Sequence, residues 1–179
     1  FRAAILGRIG GTKGHELVID ALALLRANAP DLRWEVRFIG KTLAPSEWLA
    51  WEERIRQAGL TSVIKPRGYR QDIKAELAEL DLLLIPSRAE PFGRILCEAA
   101  EAGVPVLLAD SGGLGELSHR FEIGERHAPG DAADLARQLM AIREDYAAVA
   151  ARFESGATRL LGALDEEAYL EVIASMIRS

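Results

Sequence analysis

Two carboxylates and two cations are the residues of this chain whose types and spacing could do chemistry together. Glu90 and Glu98 stand eight positions apart in the run EPFGRILCE, and Arg8 and Lys13 stand five apart in the glycine-rich run GRIGGTKG. A carboxylate accepts hydrogen bonds from hydroxyl groups, and a guanidinium with an ammonium can neutralise a diphosphate. Both runs follow an apolar segment, so each is predicted to leave the carboxyl end of a strand, where open α/β sheets bind ligands.

The glycine-rich run precedes a predicted helix, which is where phosphate binders of this class place their anion. The run does not match the dinucleotide pattern G-x-G-x-x-G or the Walker pattern, so it is interpreted as a flexible loop that holds two cations. A second anion site is predicted at the run FGR (residues 92–94), where the amides of a first helical turn point outward. The alternative for Arg8 and Lys13 is that they are solvated surface charges.

The two glutamates are interpreted as hydrogen-bond acceptors for a polyhydroxylated ligand. With a rise of about 1.5 Å per residue, their separation along a helix reaches roughly 10 Å. That distance is too long for a shared proton, but it suits contacts to two ends of one ligand. The alternative is that Glu90 and Glu98 are two solvated charges on a helix face.

Cysteine and histidine offer no further site. Cys97 is the single cysteine, so it can form neither an internal disulfide nor a paired-thiol metal site, and it is expected to be packing. The three histidines (15, 119 and 127) share no metal-ligand spacing with one another or with Cys97. We expect no metal and no cofactor, and each histidine is assigned to the surface or to packing.

Apolar runs that alternate with helical patterns predict an α/β fold. Strands are predicted at 3–6, 33–39, 62–65, 81–85 and 104–109, and residues 66–68 are predicted to form a turn. Helices are predicted at 15–28, 46–58 with Ser46 as N-cap, 71–79, 93–102, 131–140, 146–164 and 166–177. After Gly112 the pattern weakens until residue 131. The prediction is a doubly wound, Rossmann-like parallel sheet of about five or six strands, with helices on both faces and a helical C-terminal tail.

Composition limits the classes of partner. The chain has 179 residues, 49% of them hydrophobic and 27% charged, which is ordinary for one globular domain. A net charge of −5 argues against nucleic acid as a partner. No apolar run approaches the roughly 20 residues of a membrane span, so a cytoplasmic location is expected, with peripheral membrane contact left open. Because the chain opens at Phe1 without methionine, we expect it to be half of a two-domain protein.

A series of short motifs occurs in a recognisable order along most of the chain. It comprises GR and KG in the first loop, DLLLIPS at 81–87, EPFG through EA at 90–99, GVPV at 103–106, GG with Glu116, and PGD at 129–131. Each motif is weak alone, but the ordered series resembles the C-terminal, donor-binding domain of family 4 retaining glycosyltransferases with the GT-B architecture.

The resemblance implies a set of roles. Arg8 and Lys13 would neutralise a nucleotide diphosphate without a metal, Glu98 would bind ribose hydroxyls, and Glu90 the hydroxyls of the transferred sugar. The catalytic residues implied are Glu90, Arg8 and Lys13, and the donor-binding residues implied are Gly7, Arg8, Lys13, Gly40, Gly68, Tyr69, Glu90, Pro91, Phe92, Gly93, Arg94, Ile95 and Glu98.

The resemblance also implies what lies around this domain. Residues 1–179 would be the C-terminal half of a hexosyl transferase that uses a UDP or GDP sugar. The N-terminal acceptor domain would be absent from the chain, so the isolated domain is expected to bind donor without transferring it. Other expected partners are an acceptor sugar, lipid or polysaccharide, and the inner membrane surface through the missing domain.

Two departures from the family pattern and two alternatives remain. Gly40 is followed by Lys41 instead of leading to a second glycine, which leaves the base undecided, and Arg94 stands where many relatives have an aliphatic residue. A sugar-nucleotide epimerase with the GT-B fold would share the diphosphate site. A non-catalytic Rossmann-like module would have no affinity for nucleotides.

Overall fold

The computed structural model describes residues 1–9, 11–29, 33–41, 45–87 and 93–163. Its strands are β1 (Arg2–Leu6), β2 (Glu35–Ile39), β3 (Ile64–Gly68), β4 (Leu82–Ile85), β5 (Val106–Ala109) and β6 (Glu125–His127). Its α-helices are α1 (His15–Asn28), α2 (Pro45–Gln57), α3 (Ile73–Leu77), α4 (Arg94–Ala102), α5 (Gly112–Phe121), α6 (Ala132–Glu144) and α7 (Tyr146–Gly162). A short 3₁₀ helix at Gly11–Lys13 precedes α1.

The strands form one six-stranded sheet in the order β3-β2-β1-β4-β5-β6, and every pairing is parallel. The chain builds outward from β1 to the β3 edge, returns to β4 beside β1, and then builds outward to β6. This reversal at the β1–β4 pair is the topological switch point of a doubly wound sheet. The predicted α/β Rossmann-like fold is confirmed.

Helices cover both faces of the sheet, as predicted. One face packs against the apolar sides of α1, α2 and α6, and its cluster includes Ile5, Phe38 and Leu84. The opposite face packs against α3, α4, α5 and the C-terminal part of α7. The central strands β4 and β5 are buried at every position, which is why they contain continuous apolar residues instead of alternating ones.

The second half of the sequence contained two elements that were not predicted. The weak pattern after Gly112 is helix α5 followed by the short strand β6. The run after residue 63 was also misassigned, because residues predicted as a turn at 66–68 belong to β3. Pro66 is tolerated there because β3 is an edge strand. One side of an edge strand has no neighbouring strand, so a proline that lacks an N–H on that side loses no hydrogen bond.

Several predicted helix ends differ from those observed. Helix α2 begins at Pro45, so Ser46 is inside the helix and is not its N-cap. Helix α3 is shorter than predicted and is capped by the Asp72 side chain, which accepts a hydrogen bond from the Ala75 amide at 2.9 Å. The tail is confirmed as helix through Gly162, and the predicted helix at 166–177 lies outside the described residues. No helix in the described ranges is long and apolar enough to cross a membrane.

His15, at the start of α1, is a buried polar side chain with an unusual environment. It is 1% exposed, its ring packs edge-on against Phe38 with centroids 4.9 Å apart, and neither ring nitrogen has a hydrogen-bond partner in the described part of the chain. Burial, and then the nearby charge of Lys13, lower the pKa of His15 from 6.5 to about 4. The imidazole is therefore neutral in the folded protein near pH 7.

This burial predicts a pH-dependent stability. The unfolded chain takes up a proton near pH 6.5 and the folded chain only near pH 4, so the stabilisation is complete above pH 6.5 and is lost as the pH falls towards 4. We expect unfolding free energy to fall by about 2 kcal/mol more between pH 7 and pH 5 in the wild type than in His15→Phe. Urea titrations at both pH values measure this difference. An equal decrease in unfolding free energy for the two proteins between pH 7 and pH 5 would contradict it. The pKa of His127 is also lowered by burial, but its contribution is common to both proteins.

Candidate functional site

A cavity of about 750 Å³, lined by described residues, opens at the carboxyl edge of the sheet beside the switch point. Its walls are the loops that follow β1, β2, β3 and β4, together with the first turns of α4. Eight of the predicted site residues line it, namely Gly7, Arg8, Lys13, Gly40, Tyr69, Arg94, Ile95 and Glu98. Residues distant in sequence therefore meet at one concave surface, where the strand order predicts a ligand site.

The loop after β1 begins with a glycine in a backbone conformation that other residues rarely adopt. Gly7 has φ +131°, and its amide donates to the Ile39 carbonyl at 2.9 Å. The aliphatic part of Lys13 crosses directly over it, since a Cβ built at Gly7 would lie 3.4 Å from Lys13 Cε. Arg8 is exposed at the cavity surface. The structure thus brings the two predicted cations to one cavity.

The loops after β1 and β4 contact each other closely. Gly14 has φ +81°, and a Cβ there would lie 2.6 Å from the Pro86 carbonyl oxygen. The Ser87 hydroxyl donates to the Thr12 carbonyl at 3.2 Å, and Ser87 is buried. Only glycine at position 14 permits this approach, which fixes the cation-bearing loop against the switch point.

The N-terminus of α4 forms another wall. Gly93 is its N-cap, with φ +52°, and it is buried against Leu117, whose Cδ1 would be 2.5 Å from an added Cβ. The first hydrogen bond of this turn runs from the Leu96 amide to the Gly93 carbonyl, at 2.8 Å. The amides of Arg94 and Ile95 come before it, at the N-terminus of the helix. Amides in this position carry the partial positive charge of a helix N-terminus. Gly93 itself supports the wall from behind and does not line the cavity.

Glu98 lies one turn further along α4 and already has a partner. Its Oε1 is 3.2 Å from Nε of Arg94, in an i,i+4 ion pair. The Arg94 side chain is 83% exposed and that of Glu98 is 34% exposed. An ion pair this exposed contributes only about 0.3–0.5 kcal/mol, so it does not hold Glu98 away from a ligand.

Cys97, which immediately precedes Glu98 in α4, is half-buried. Burial, followed by the negative charges of Glu101 and Glu98, raises the pKa of its thiol. A raised pKa disfavours the thiolate, which is the nucleophilic form. Its assignment to packing agrees with this environment. Among the described residues, no group of three His, Cys, Asp or Glu side chains could hold a metal ion.

The loops after β2 and β3 supply cavity residues that the sequence prediction missed. Lys41 places Nζ 4.8 Å from the centre of the Tyr69 ring, and Arg70 lies next to them. Lys41 and Arg70 each lie two positions beyond the end of a strand, as Arg8 does, so the rule that identified Arg8 could have identified them too. Predicted Gly68 lines an adjoining cleft of about 450 Å³ and accepts a hydrogen bond from the Gly40 amide at 2.9 Å.

Three predicted site residues cannot be placed. Glu90, Pro91 and Phe92 lie outside the described residues, so the prediction of paired carboxylates is neither supported nor opposed by the structure. For the other ten predicted residues, eight line the cavity, Gly68 lines the adjoining cleft, and Gly93 backs the wall.

Comparison with known proteins gives consistent matches. Residues 2–159 match the family described as glycosyl transferases group 1. The chain is 28% identical to the D-inositol 3-phosphate glycosyltransferase of Paenarthrobacter aurescens, covering 99% of this chain and 45% of that protein. It is 30% identical to a glycogen synthase of Mycobacterium tuberculosis, covering 89% of this chain and 38% of that protein.

Solved structures agree with these matches. Anabaena Alr3699/HepE in complex with UDP has a TM-score of 0.82 and 27% identity, covering 99% of this chain and 48% of that chain. The same protein in complex with UDP-glucose gives 0.81 and 26%, covering 99% and 48%. The chain therefore spans less than half the length of these relatives.

Proposed function

Since the chain belongs to the family of group 1 glycosyl transferases, we propose that it is the C-terminal, donor-binding domain of a two-domain GT-B glycosyltransferase. Its ligand is a nucleotide-diphosphate sugar. The observation that carries the proposal is the convergence of Arg8, Lys13, the N-terminus of α4 and Glu98 on one cavity. An N-terminal domain facing this cavity would bind the acceptor, which is a sugar, lipid or polysaccharide.

The diphosphate is assigned to the switch-point end of the cavity. Arg8 can donate two parallel hydrogen bonds to phosphate oxygens, Lys13 supplies a point charge, and the amides of Arg94 and Ile95 add donors from the helix N-terminus. Charge-assisted hydrogen bonds contribute about 1.5–3 kcal/mol each, so several together hold a diphosphate without a metal ion. The HepE relative, whose complexes contain UDP and UDP-glucose, supports this assignment.

The hydroxyl groups of the donor are assigned to the two carboxylates. Glu98 lines the cavity and would accept hydrogen bonds from the ribose hydroxyls, displacing the weak ion pair with Arg94. Glu90 would accept hydrogen bonds from the transferred sugar, a role that rests on the family resemblance. The nucleoside would extend towards Gly40, Gly68 and Tyr69, at the ends of β2 and β3.

Catalysis by this site would be electrostatic. As the bond between the sugar and the diphosphate breaks, negative charge accumulates on the leaving phosphate, where Arg8 and Lys13 stabilise it more strongly than in the ground state. This is the contribution that a divalent ion makes in other transferases. We further propose transfer with retention of anomeric configuration, as in family 4, at the cytoplasmic face of the membrane. This chain alone would bind donor without transferring it.

The proposal predicts metal-independent nucleotide binding. Calorimetric titration of this chain with UDP, GDP and ADP, and with their glucose or mannose derivatives, should give a saturable heat for at least one nucleotide. The affinity should be the same within about twofold in EDTA and in magnesium, because cations and amides of the protein neutralise the diphosphate.

Two results would contradict the proposal in different ways. Heat that appears only with magnesium would show that the diphosphate site needs a metal. No heat with any nucleotide, from protein with a cooperative thermal unfolding transition, would favour the non-catalytic module.

A further inference from the structure

Arg70 lines the cavity and forms an ion pair with a buried carboxylate. Its Nε lies 3.1 Å from Oε1 of Glu76, and its side chain is 42% exposed at the cavity wall. Glu76 is itself a buried carboxylate, 9% exposed, in the short helix α3. A buried carboxylate is costly unless it is paired, so the position of Glu76 is strongly determined by its partners.

The partners of Glu76 reach into the sheet. Arg37, on β2, is 6% exposed and lies 3.5 Å from Glu76, 2.8 Å from Glu35 and 2.7 Å from Glu79. Arg67, at the end of β3, also contacts Glu76, at 3.3 Å. Of these three guanidinium groups on Glu76, that of Arg70 is the one that lines the cavity. The network therefore anchors a single cavity side chain to a buried part of the fold.

The position of Arg70 relative to Glu98 follows from the packing of α3 beside α4. Lys74 Nζ lies 3.5 Å from Glu101 Oε2, and Glu101 is one turn beyond Glu98. Ile73, at the start of α3, lines the same cavity as Glu98. A group attached to a ribose at Glu98, on the side away from the diphosphate, would therefore meet the loop that contains Arg70. In a nucleotide that group is the base.

We propose that Arg70 contacts the nucleobase and selects uracil or guanine over adenine, with Glu76 as its positioning residue. The proposal rests on the proposed function, because it needs the ribose at Glu98. A guanidinium has donors only, so it pairs with carbonyl oxygens. Uracil and guanine present such oxygens on their edges, whereas adenine has no carbonyl oxygen and presents an amino donor where guanine has O6. Glu76 contacts Nε, so the outer nitrogens of Arg70 can donate to a ligand in the cavity that this residue lines.

The test compares base preference in two matched arginine variants. Arg70→Met removes the cavity donor, and Arg67→Met removes a guanidinium that contacts the same Glu76 but does not line the cavity. Calorimetry with UDP, GDP and ADP should show that the wild type and Arg67→Met bind UDP or GDP at least about tenfold more tightly than ADP. In Arg70→Met this preference should fall to within about threefold.

A second variant tests the positioning role. Glu76→Gln keeps the size of the side chain and leaves Arg37 paired with Glu35 and Glu79. It should lower the base preference in the same direction as Arg70→Met, while affinity for inorganic pyrophosphate stays within about twofold of wild type, since Arg8 and Lys13 are unchanged. If Glu76→Gln does not fold, the Arg70→Met comparison alone decides.

The outcomes separate this inference from the proposed function. If the wild type binds UDP or GDP and pyrophosphate, but Arg70→Met keeps the wild-type preference or loses all three nucleotides equally, Arg70 does not select the base. The proposed function would then stand without it. If the folded wild type binds no nucleotide or pyrophosphate, the proposed function itself is overturned.

Discussion

Replacing Gly40 by alanine is expected to destabilise the protein by about 3 kcal/mol or more. A Cβ at this position would lie 1.7 Å from the carbonyl oxygen of Gly7 and 2.6 Å from its carbonyl carbon. Both are backbone atoms, and they belong to a segment fixed by the bond from the Gly7 amide to the Ile39 carbonyl. Relief of the overlap requires β1 and β2 to separate at the cavity, so urea unfolding should show the loss directly.

A second glycine controls for the substitution itself. Gly162 lies in the last turn of α7, and a Cβ there would meet no atom of the described residues within 4 Å. Gly162→Ala should change the unfolding free energy by less than about 1 kcal/mol, in the stabilising direction expected for a helical alanine. If Gly40→Ala were as stable as Gly162→Ala, the close approach of the β1 and β2 loops would be wrong.

The parts of the fold that the sequence predicts well are those with strong local patterns. The buried strands β4 and β5 have uninterrupted apolar runs, and helices α1 and α4 end at positions that glycine or proline marks in the sequence. Parallel order then places the loops after β1 and β4 at one edge. This is why Arg8, Lys13 and Glu98, far apart in the chain, could be assigned to a common site.

The elements that the sequence did not predict are stabilised by tertiary contacts more than by local pattern. Strand β6 has only three residues, ERH, with no apolar run, and it exists because it pairs with β5. Helix α5 begins with Gly112 and contains Gly115, which lower helix propensity. Gly115 packs closely on Asp110, since a Cβ there would lie 2.9 Å from its Oδ1 and 3.2 Å from its carbonyl carbon, and such a contact is not visible in a hydrophobic pattern.

The ion pairs between side chains of the site could not be predicted from the sequence pattern either. Glu98 was predicted as a ligand acceptor, and its spacing from Arg94 fits an i,i+4 ion pair, but the spacing alone did not say which role applied. Arg70 depends on Glu76, six positions away in helix α3, and Glu76 depends on Arg37 in strand β2. Such a network needs the sheet register before it can be recognised.

Removing both cations of the β1 loop is expected to have the largest effect on ligand binding. Each charge-assisted hydrogen bond contributes about 1.5–3 kcal/mol, so Arg8→Met or Lys13→Met alone should raise the UDP dissociation constant about 10- to 100-fold, and the double variant about 10²- to 10⁴-fold. Methionine keeps the aliphatic chain that covers Gly7, so the loop should remain folded. Calorimetry at two salt concentrations measures both the loss and a weaker salt dependence.

A lysine outside the cavity gives the matched comparison. Lys74 is 85% exposed on α3, pairs with Glu101 at 3.5 Å and does not line the cavity. Lys74→Met removes the same charge from the protein, so a general electrostatic attraction for nucleotides would fall equally in Lys74→Met and Lys13→Met. A local diphosphate site requires that Lys74→Met stay within about twofold of wild type. Equal losses in the two variants would mean that the β1 loop does not bind the phosphates, and the assignment of the cavity would have to change.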